Sequence, residues 1–351
     1  MYKYRIRIVF ESQNEKQSRK GRNSMTKIKW IAMAFMLALL VLLTGCSAQK
    51  PDKEDLEEQL LVGFSQLGSE STWRLGNTRS MFEAAEKYDV NLMYINANQS
   101  QENQKKALRS FIGYRVDVIA FAPIVEDGWD DVLKEAKDAN IPVILVDRDI
   151  QTEDPTLYAS HVGSDFYSEG MRAGQYLLKK ADKMGSNRLN IVEITGTEGS
   201  TPMLERQRGF KDALGDDERF TIMETVCGDF IISKGKEVMR DLLEKYGKEI
   251  DVLFAQNDGM MTGALEAIEE AGFVPGKDII VISVDGDQGA IDLLREGKIN
   301  CVVECSPMLG DIVMDVAQKL ANGENVEREY YSKETSFTEF DDLSRIAPRG
   351  Y

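Results

Sequence analysis

An α/β architecture of two doubly wound, parallel-sheet lobes is the fold class this sequence predicts. From residue 60 onward, short apolar runs alternate with amphipathic stretches. Near-continuous apolar strands are strands buried on both faces, as in parallel sheets covered by helices. The runs are too numerous for one comfortable sheet, whereas the roughly 300 residues that follow the leader suffice for two ordinary domains. Polar residues collect at the C-terminal ends of the runs, the edge along which open parallel sheets bind ligands.

The first 24 residues carry no hydrophobic period. An apolar run from Trp30 to Leu43 follows Lys27 and Lys29 and closes on Leu43-Thr44-Gly45-Cys46. It is too short for a permanent membrane helix and has the proportions of a secretory signal. Met25 stands where such a signal ordinarily starts, so translation from Met25 is an alternative to Met1. The small-residue site ahead of a cysteine resembles a bacterial lipobox. That likeness implies loss of residues 1–45, acylation of Cys46, and an extracytoplasmic protein lipid-anchored to the cell membrane. Residues 46–59 are polar and read as a flexible tether.

Strands are then expected over residues 60–67, 90–96, 117–122 and 142–147, with helices over 72–88, 101–114 and 129–140 between them. A second series starts near Ser164. Its helices fall at 167–180, 202–214, 232–246, 261–271 and 289–296. Its strands fall at 189–195, 221–226, 252–256, 279–284 and 301–305. A last helix over 308–320 leads into an extended tail. No solenoid-length repeat is present.

Charge narrows the function. The chain has 43 Lys+Arg and 59 Asp+Glu. Without residues 1–45 these become 34 and 57, a net charge of −23. So acidic a surface repels phosphate backbones, which excludes nucleic acid as a partner. It also disfavours lying on anionic lipid, leaving membrane contact to the acyl anchor. With Cys46 set aside, Cys227, Cys301 and Cys305 remain. An odd count, with Cys301 and Cys305 four apart in a strand-like run and too far apart to bridge if extended, reads as buried thiols. The single histidine, His161, lacks partners for a metal site and reads as a satisfied residue at a strand end. No metal or cofactor is expected.

Catalytic signatures are missing. Gly272–Lys277 has the wrong spacing for a phosphate loop and precedes a strand, so it reads as a turn. Gly196-Thr-Glu-Gly199 reads as a tight turn as well. There is no H-E-x-x-H pair and no nucleophile elbow. A non-catalytic binding protein is the expectation.

The polar strand ends are Ser65-Gln66, Asp147-Arg148, Gly228-Asp229, Asn257-Asp258 and Asp285-Gly286-Asp287. Any one is explained as a helix cap or turn. Five together, one with an arginine, favour a cleft between facing lobes. Trp73-Arg74 adds an aromatic face and a planar donor just after the first strand. Arg148 beside Asp147 sets a fork of donors next to an acceptor, suited to adjacent hydroxyls. Arg206, taken alone, is an ordinary solvated helix arginine.

Several stretches resemble the periplasmic-binding-protein type I sugar receptors, the ribose-binding-protein family, and most of all its galactofuranose-binding members. They include Val62-Gly-Phe-Ser-Gln-Leu-Gly-Ser-Glu-Ser-Thr-Trp-Arg74, Gln101-Glu-Asn-Gln104, Leu133-Lys-Glu-Ala-Lys-Asp-Ala139 and Asp147-Arg148. Further along are Gly228-Asp-Phe230, Ser233-Lys-Gly-Lys-Glu-Val-Met239, Asn257-Asp258 and Ile282-Ser-Val-Asp-Gly286. The likeness spans residues 60–351 and is looser after Cys301.

The resemblance implies a three-crossover hinge, with crossings near 161–163, 305–306 and 331–333. The N-terminal lobe would be 60–161 plus 306–331, the C-terminal lobe 162–305 plus 332–351. Trp73 and Phe230 would sandwich a sugar ring. Glu70, Arg74, Asp147 and Arg148 would meet its hydroxyls from the first lobe, and Arg206, Asn257 and Asp285 from the second. The strand before Pro307 would add a polar residue, Glu304 or Cys305, with Glu304 the assigned one. The implied function is a monomeric receptor for a monosaccharide, closing on it and presenting the closed form to the permease subunits of an ABC transporter. A sensor kinase as partner would require the same core. A galactofuranose-like furanose leads as ligand, with fructose, arabinose and ribose as alternatives. The superfamily's transcriptional repressors are excluded by the leader and the acidic balance.

Overall fold

The computed structural model describes residues 59–351; the leader, the lipobox cysteine and most of the tether lie outside the described residues. The first strand, β1 (Leu61–Gln66), leads into helix α1 (Thr72–Lys87). There follow β2 (Asn91–Asn96), α2 (Gln101–Tyr114), β3 (Val118–Phe121), α3 (Asp130–Asp138), β4 (Val143–Asp147) and β5 (Ser160–Gly163). The second series is α4 (Phe166–Met184), β6 (Leu189–Thr195), α5 (Thr201–Leu214), β7 (Phe220–Cys227), α6 (Ile232–Tyr246) and β8 (Val252–Ala255). It continues with α7 (Asp258–Glu270), β9 (Ile280–Asp285), α8 (Gln288–Arg295) and β10 (Cys301–Glu304). Last come α9 (Gly310–Ala321), β11 (Glu329–Tyr331) and β12 (Ser336–Thr338).

Two six-stranded sheets result, in the orders β11-β5-β4-β3-β1-β2 and β12-β10-β9-β8-β6-β7. The burial of the strands explains their composition. β3, β4, β8 and β9 are buried at every position and apolar nearly throughout. The edge strands β2 and β7 are half-exposed and admit Asn, Thr and Glu. Helices cover both faces of each sheet, the layering that parallel strands with helical crossovers require.

The chain crosses between the sheets three times: after β5, after β10 and after β11. The crossing segments share one acceptor. Glu334 Oε1 accepts hydrogen bonds from the Ser164 hydroxyl at 2.5 Å, the Ser306 backbone N–H at 3.0 Å and the Ser332 hydroxyl. One donor thus comes from each crossing.

The structure corrects the sequence reading at the C-terminal end. The expected extended tail contains two edge strands, and β12 runs antiparallel to β10 in a sheet whose other pairings are parallel. The reason is topological. β10 ends at the hinge and β12 begins there, with the Thr335 carbonyl accepting from the Glu304 N–H at 2.8 Å. Helix α7 also starts earlier than periodicity suggests, because the Asn257 side chain caps it by accepting from the Met260 N–H at 2.8 Å. Of the three thiols expected to be buried, Cys301 and Cys305 are, while Cys227 is exposed. It stands at the end of the edge strand β7, which no further strand covers.

His161 lies within β5 and is satisfied on both sides. Its Nδ1 is 2.7 Å from Glu329 Oε2 and its Nε2 is 2.9 Å from the Asp147 carbonyl oxygen. Burial opposes the protonated ring, but the Glu329 carboxylate and the carbonyl outweigh it and raise the pKa. Among the described residues no helix is long and apolar enough to cross a membrane.

Candidate ligand cleft

The first-lobe wall is built where β1 gives way to α1. Ser71 caps that helix, its hydroxyl accepting from the Arg74 N–H at 3.1 Å. The cap fixes the first turn, which carries Trp73 and Arg74. The Trp73 indole N–H donates to the Cys305 carbonyl at 2.8 Å, tying the ring to a hinge segment. Arg74 Nη2 donates to Asp147 Oδ2 at 2.7 Å and Nε to Glu70 Oε1 at 3.2 Å. Burial alone would lower the arginine's pKa; Asp147 and Glu70 reverse that and raise it.

Asp147 ends β4 with φ 66°, and the Arg148 N–H closes a three-residue turn onto the Val146 carbonyl at 2.8 Å. Such a conformation is costly for a residue with a side chain and concentrates at functional sites. The turn aims Asp147 and Arg148 into the same space. His161, gripping the Asp147 carbonyl, supports it from behind. Arg148 Nη1 donates to the Ile124 carbonyl at 2.7 Å. Burial, with Arg74 nearby, pulls the Arg148 pKa down to about 10.

The second lobe supplies the facing wall. Phe230 has φ 61° and packs its ring against the backbone of Gly196, where a Cβ would stand 1.8 Å from Cζ. The guanidinium carbon of Arg148 lies 5.6 Å from that ring's centroid and that of Arg206 lies 6.0 Å away. Arg206 is buried, not solvated as its sequence context suggests. Its Nε donates to Glu169 Oε2 at 2.6 Å and its Nη1 to the Gln256 carbonyl at 2.7 Å. This pairing depends on glycine. A Cβ on Gly170 would sit 2.1 Å from the Arg206 carbonyl oxygen, and one on Gly209 2.1 Å from that of Tyr167. Helices α4 and α5 therefore touch backbone to backbone.

Burial drives the Glu169 carboxyl up to about 8 despite Arg206 beside it. Asp285, with φ 123°, is also pushed well up, first by burial and then by its neighbour Asp258. Asp258 accepts from the Ser283 hydroxyl and from the N–H groups of Gly286 at 2.7 Å and Asp287 at 2.9 Å, which holds the β9–α8 loop in place.

These walls surround one recess, with about 310 Å³ of space between atoms including the part open to solvent. Nine of the ten sequence-derived residues line it: Glu70, Trp73, Arg74, Asp147, Arg148, Arg206, Phe230, Asn257 and Asp285. The tenth does not. Glu304 turns away, its carboxylate engaged by the Arg349 guanidinium and by the Thr335 N–H at 3.1 Å, and Cys305 lines the cavity instead. Sequence reasoning passed over Ser71 and Pro202, which also line it, and Glu169, which holds Arg206. Only Ser71 carried a signal, as a serine ahead of a helix.

Three buried polar atoms around the cavity have no partner: Glu70 Oε2, Arg74 Nη1 and Arg148 Nε. The lobes also touch each other directly. The Glu126 N–H donates to the Gly199 carbonyl at 3.1 Å, and the Asp149 N–H to Thr201 Oγ1 at 3.0 Å. Such a site can grip a small polyhydroxylated molecule, with acceptors and planar donors for hydroxyls and aromatic rings for C–H faces. Glu169, Cys305 and Glu334 also come within 4.8 Å of one another at the hinge. Arg206 and the serines already occupy the two carboxylates, and burial raises the thiol, so the cluster suits a hydrogen-bonded joint.

Residues 62–325 match the periplasmic binding protein domain family. The chain is 42% identical over 266 residues to the galactofuranose-binding protein YtfQ of Escherichia coli, covering 75% of this chain and 83% of that protein. It is 28% identical to the fructose import binding protein FruE of Bifidobacterium longum, covering 88% of this chain and 94% of that protein. Among solved structures, a Mycobacterium smegmatis protein in complex with β-D-fucofuranose is 45% identical with a TM-score of 0.77, over 80% of this chain and 91% of that one. The periplasmic component of an arabinose ABC transporter from Shewanella sp. ANA-3, bound to L-arabinofuranose, is 39% identical. Its TM-score is 0.77, over 80% of this chain and 92% of that one. These relatives are binding proteins, and their fold is the two-lobed one described above. With three quarters of its length matched and its two-lobed fold shared with solved sugar-binding relatives, this chain belongs to the periplasmic binding protein family, in the branch of the type I sugar receptors.

Proposed function

We propose that this chain is the extracytoplasmic, lipid-anchored binding protein of a sugar ABC importer, and that its cleft holds a monosaccharide in furanose form, galactofuranose foremost. Fructose, arabinose and ribose are the alternatives, since relatives carry the first and third in their names and one solved relative binds arabinofuranose. The observation that carries the reading is the set of unpartnered buried atoms, Glu70 Oε2, Arg74 Nη1 and Arg148 Nε, around a cavity lined by Trp73 and Phe230. In this reading the sugar lies between those two rings. Glu70, Arg74, Asp147 and Arg148 serve its hydroxyls from residues 60–161 plus 306–331. Arg206, Asn257 and Asp285 serve them from residues 162–305 plus 332–351. Because the ligand touches both lobes only when they are shut, it favours the closed form, which the permease subunits then recognise.

The magnitudes are adequate. Each charge-assisted hydrogen bond contributes roughly 1.5–3 kcal/mol and a ring contact about 0.5–1.5 kcal/mol. Three such bonds and two rings together supply roughly 5.5–12 kcal/mol before ordering costs, which puts micromolar affinity, roughly 8 kcal/mol, near the upper end of what the site can reach. The test is calorimetry with methyl β-D-galactofuranoside, methyl β-D-galactopyranoside and a panel of free pentoses and hexoses. The furanoside is expected to bind and the pyranoside not. Equal binding of both ring forms, or of neither, overturns the reading.

A further inference from the structure

A second recess opens beside the cavity, and Glu70 belongs to both. It is a solvent-open groove with about 630 Å³ of space between atoms, lined by Gly68, Ser69, Glu70, Asn98, Gln99 and, from the second lobe, Ile231. Its first-lobe wall is a built structure. The Asn96 side chain ties the two loops together, its Oδ1 accepting from the Asn98 N–H and its Nδ2 donating to Ser69 Oγ, both at 2.8 Å. The Gln99 N–H donates to the Leu67 carbonyl at 2.6 Å. Asn98 and Gln99 are held at φ 51° and 57°, a conformation side chains adopt at a cost.

Glu70 links the two recesses. Its side chain is 5% exposed; Oε1 is engaged by Arg74, while Oε2 is buried without a partner. Oε2 lies on the groove side: a Cβ on Gly68 would stand 2.7 Å from it and 2.8 Å from Gln99 Cγ. Glycine at 68 thus lets the carboxylate and the Gln99 side chain pack directly against its Cα at the rim of the groove. The lobes seal at Glu126–Gly199 and Asp149–Thr201. Along Gly68–Ser69 and Ile231 they leave this groove.

We propose that the groove is a subsite for a second sugar unit, so that the protein accepts furanosyl disaccharides and furanosides as well as free monosaccharides. The proposal rests on the furanose reading of the main cavity and adds the size of ligand admitted. A substituent on the bound furanose leaves past Glu70, with Oε2 accepting a hydroxyl at the junction. The Ser69 hydroxyl and the amides of Asn98 and Gln99 supply polar partners for the outer unit, and Ile231 an apolar face. That mix matches the alternating hydroxyl and C–H surface of a sugar.

The full chain, purified in detergent, is titrated calorimetrically with methyl β-D-galactofuranoside and with a β-D-galactofuranosyl disaccharide. Both are expected to bind. Ser69→Trp, and independently Ile231→Trp from the opposite wall, fill the groove. Each should weaken the disaccharide by about tenfold or more while leaving the methyl furanoside within about twofold. Three results overturn the subsite: rejection of the disaccharide by the unmodified protein, variants that leave its affinity unchanged, or variants that weaken both ligands equally. Failure of the unmodified protein to bind even the methyl furanoside refutes the furanose reading itself.

Discussion

Replacing Arg74 by lysine separates a ligand-binding role from a structural one. The arginine has three donor nitrogens in use or in waiting: Nη2 on Asp147, Nε on Glu70, and Nη1 buried without a partner. Alanine is the wrong probe. The side chains of Glu70 and Asp147 are each 5% exposed, and removing the cation between them leaves two buried carboxylates with only Arg148, 3.9 Å from Asp147, to offset them. Stranding a buried charge costs about 3–5 kcal/mol, which confuses loss of binding with loss of fold. Lysine keeps the charge but reaches only one position. An ammonium on Asp147 gives up the bond to Glu70 and, with it, the site of Nη1. The structural loss is then one hydrogen bond, about 1–3 kcal/mol. The ligand loses one charge-assisted bond, roughly 1.5–3 kcal/mol, or about a 10- to 150-fold rise in Kd. Thermal denaturation without sugar and calorimetry with methyl β-D-galactofuranoside read the two effects separately. A folded Arg74→Lys protein whose Kd stays within about twofold of the parent refutes the assignment of Nη1 to the ligand.

Three further predictions address other parts of the molecule. Gly196→Ala puts a Cβ 1.8 Å from Phe230 Cζ and forces the ring from its seat. An overpacking cost of about 1–3 kcal/mol is expected, with loss of the sugar-induced rise in Tm; a full rise in Tm on adding sugar shows that the ring is not a contact. The raised pKa of His161 means that its stabilisation is complete below the unfolded value of about 6.5 and is lost as pH rises through the folded one. His161→Gln should therefore destabilise more at about pH 6 than at alkaline pH in matched thermal scans, and a gap that widens with pH contradicts this. Cys46→Ser should release the protein from the membrane fraction, and continued sedimentation with membranes rules out the acyl anchor at Cys46.

What the sequence made legible followed from continuous burial and from local caps. Strands such as β4 and β9 are buried at every position, so their apolar runs could be read without knowing their neighbours. The polar residues that end them lie in the crevice because chain direction fixes which edge they occupy. What remained hidden depended on contacts made far along the chain. β11 and β12 have three residues each, too few for any period, and exist because β5 and β10 pair with them. Glu304 was mistaken for a cleft residue because alternation puts neighbouring side chains on opposite faces but does not say which face fronts the cavity. In the structure Cys301, Val303 and Cys305 share one side, and Glu304 points to Arg349. By its local sequence Arg206 reads as a solvated helix arginine, and nothing local ties it to Glu169 on a separate helix. Only the glycine-mediated contact of α4 and α5 brings them together out of water.

Glu334 gives the two-lobed body its mechanical character. One carboxylate oxygen fastens three strands of chain that are far apart in sequence, so none of them can flex without pulling on the other two. Any rotation of one lobe against the other would therefore have to turn about this one shared joint.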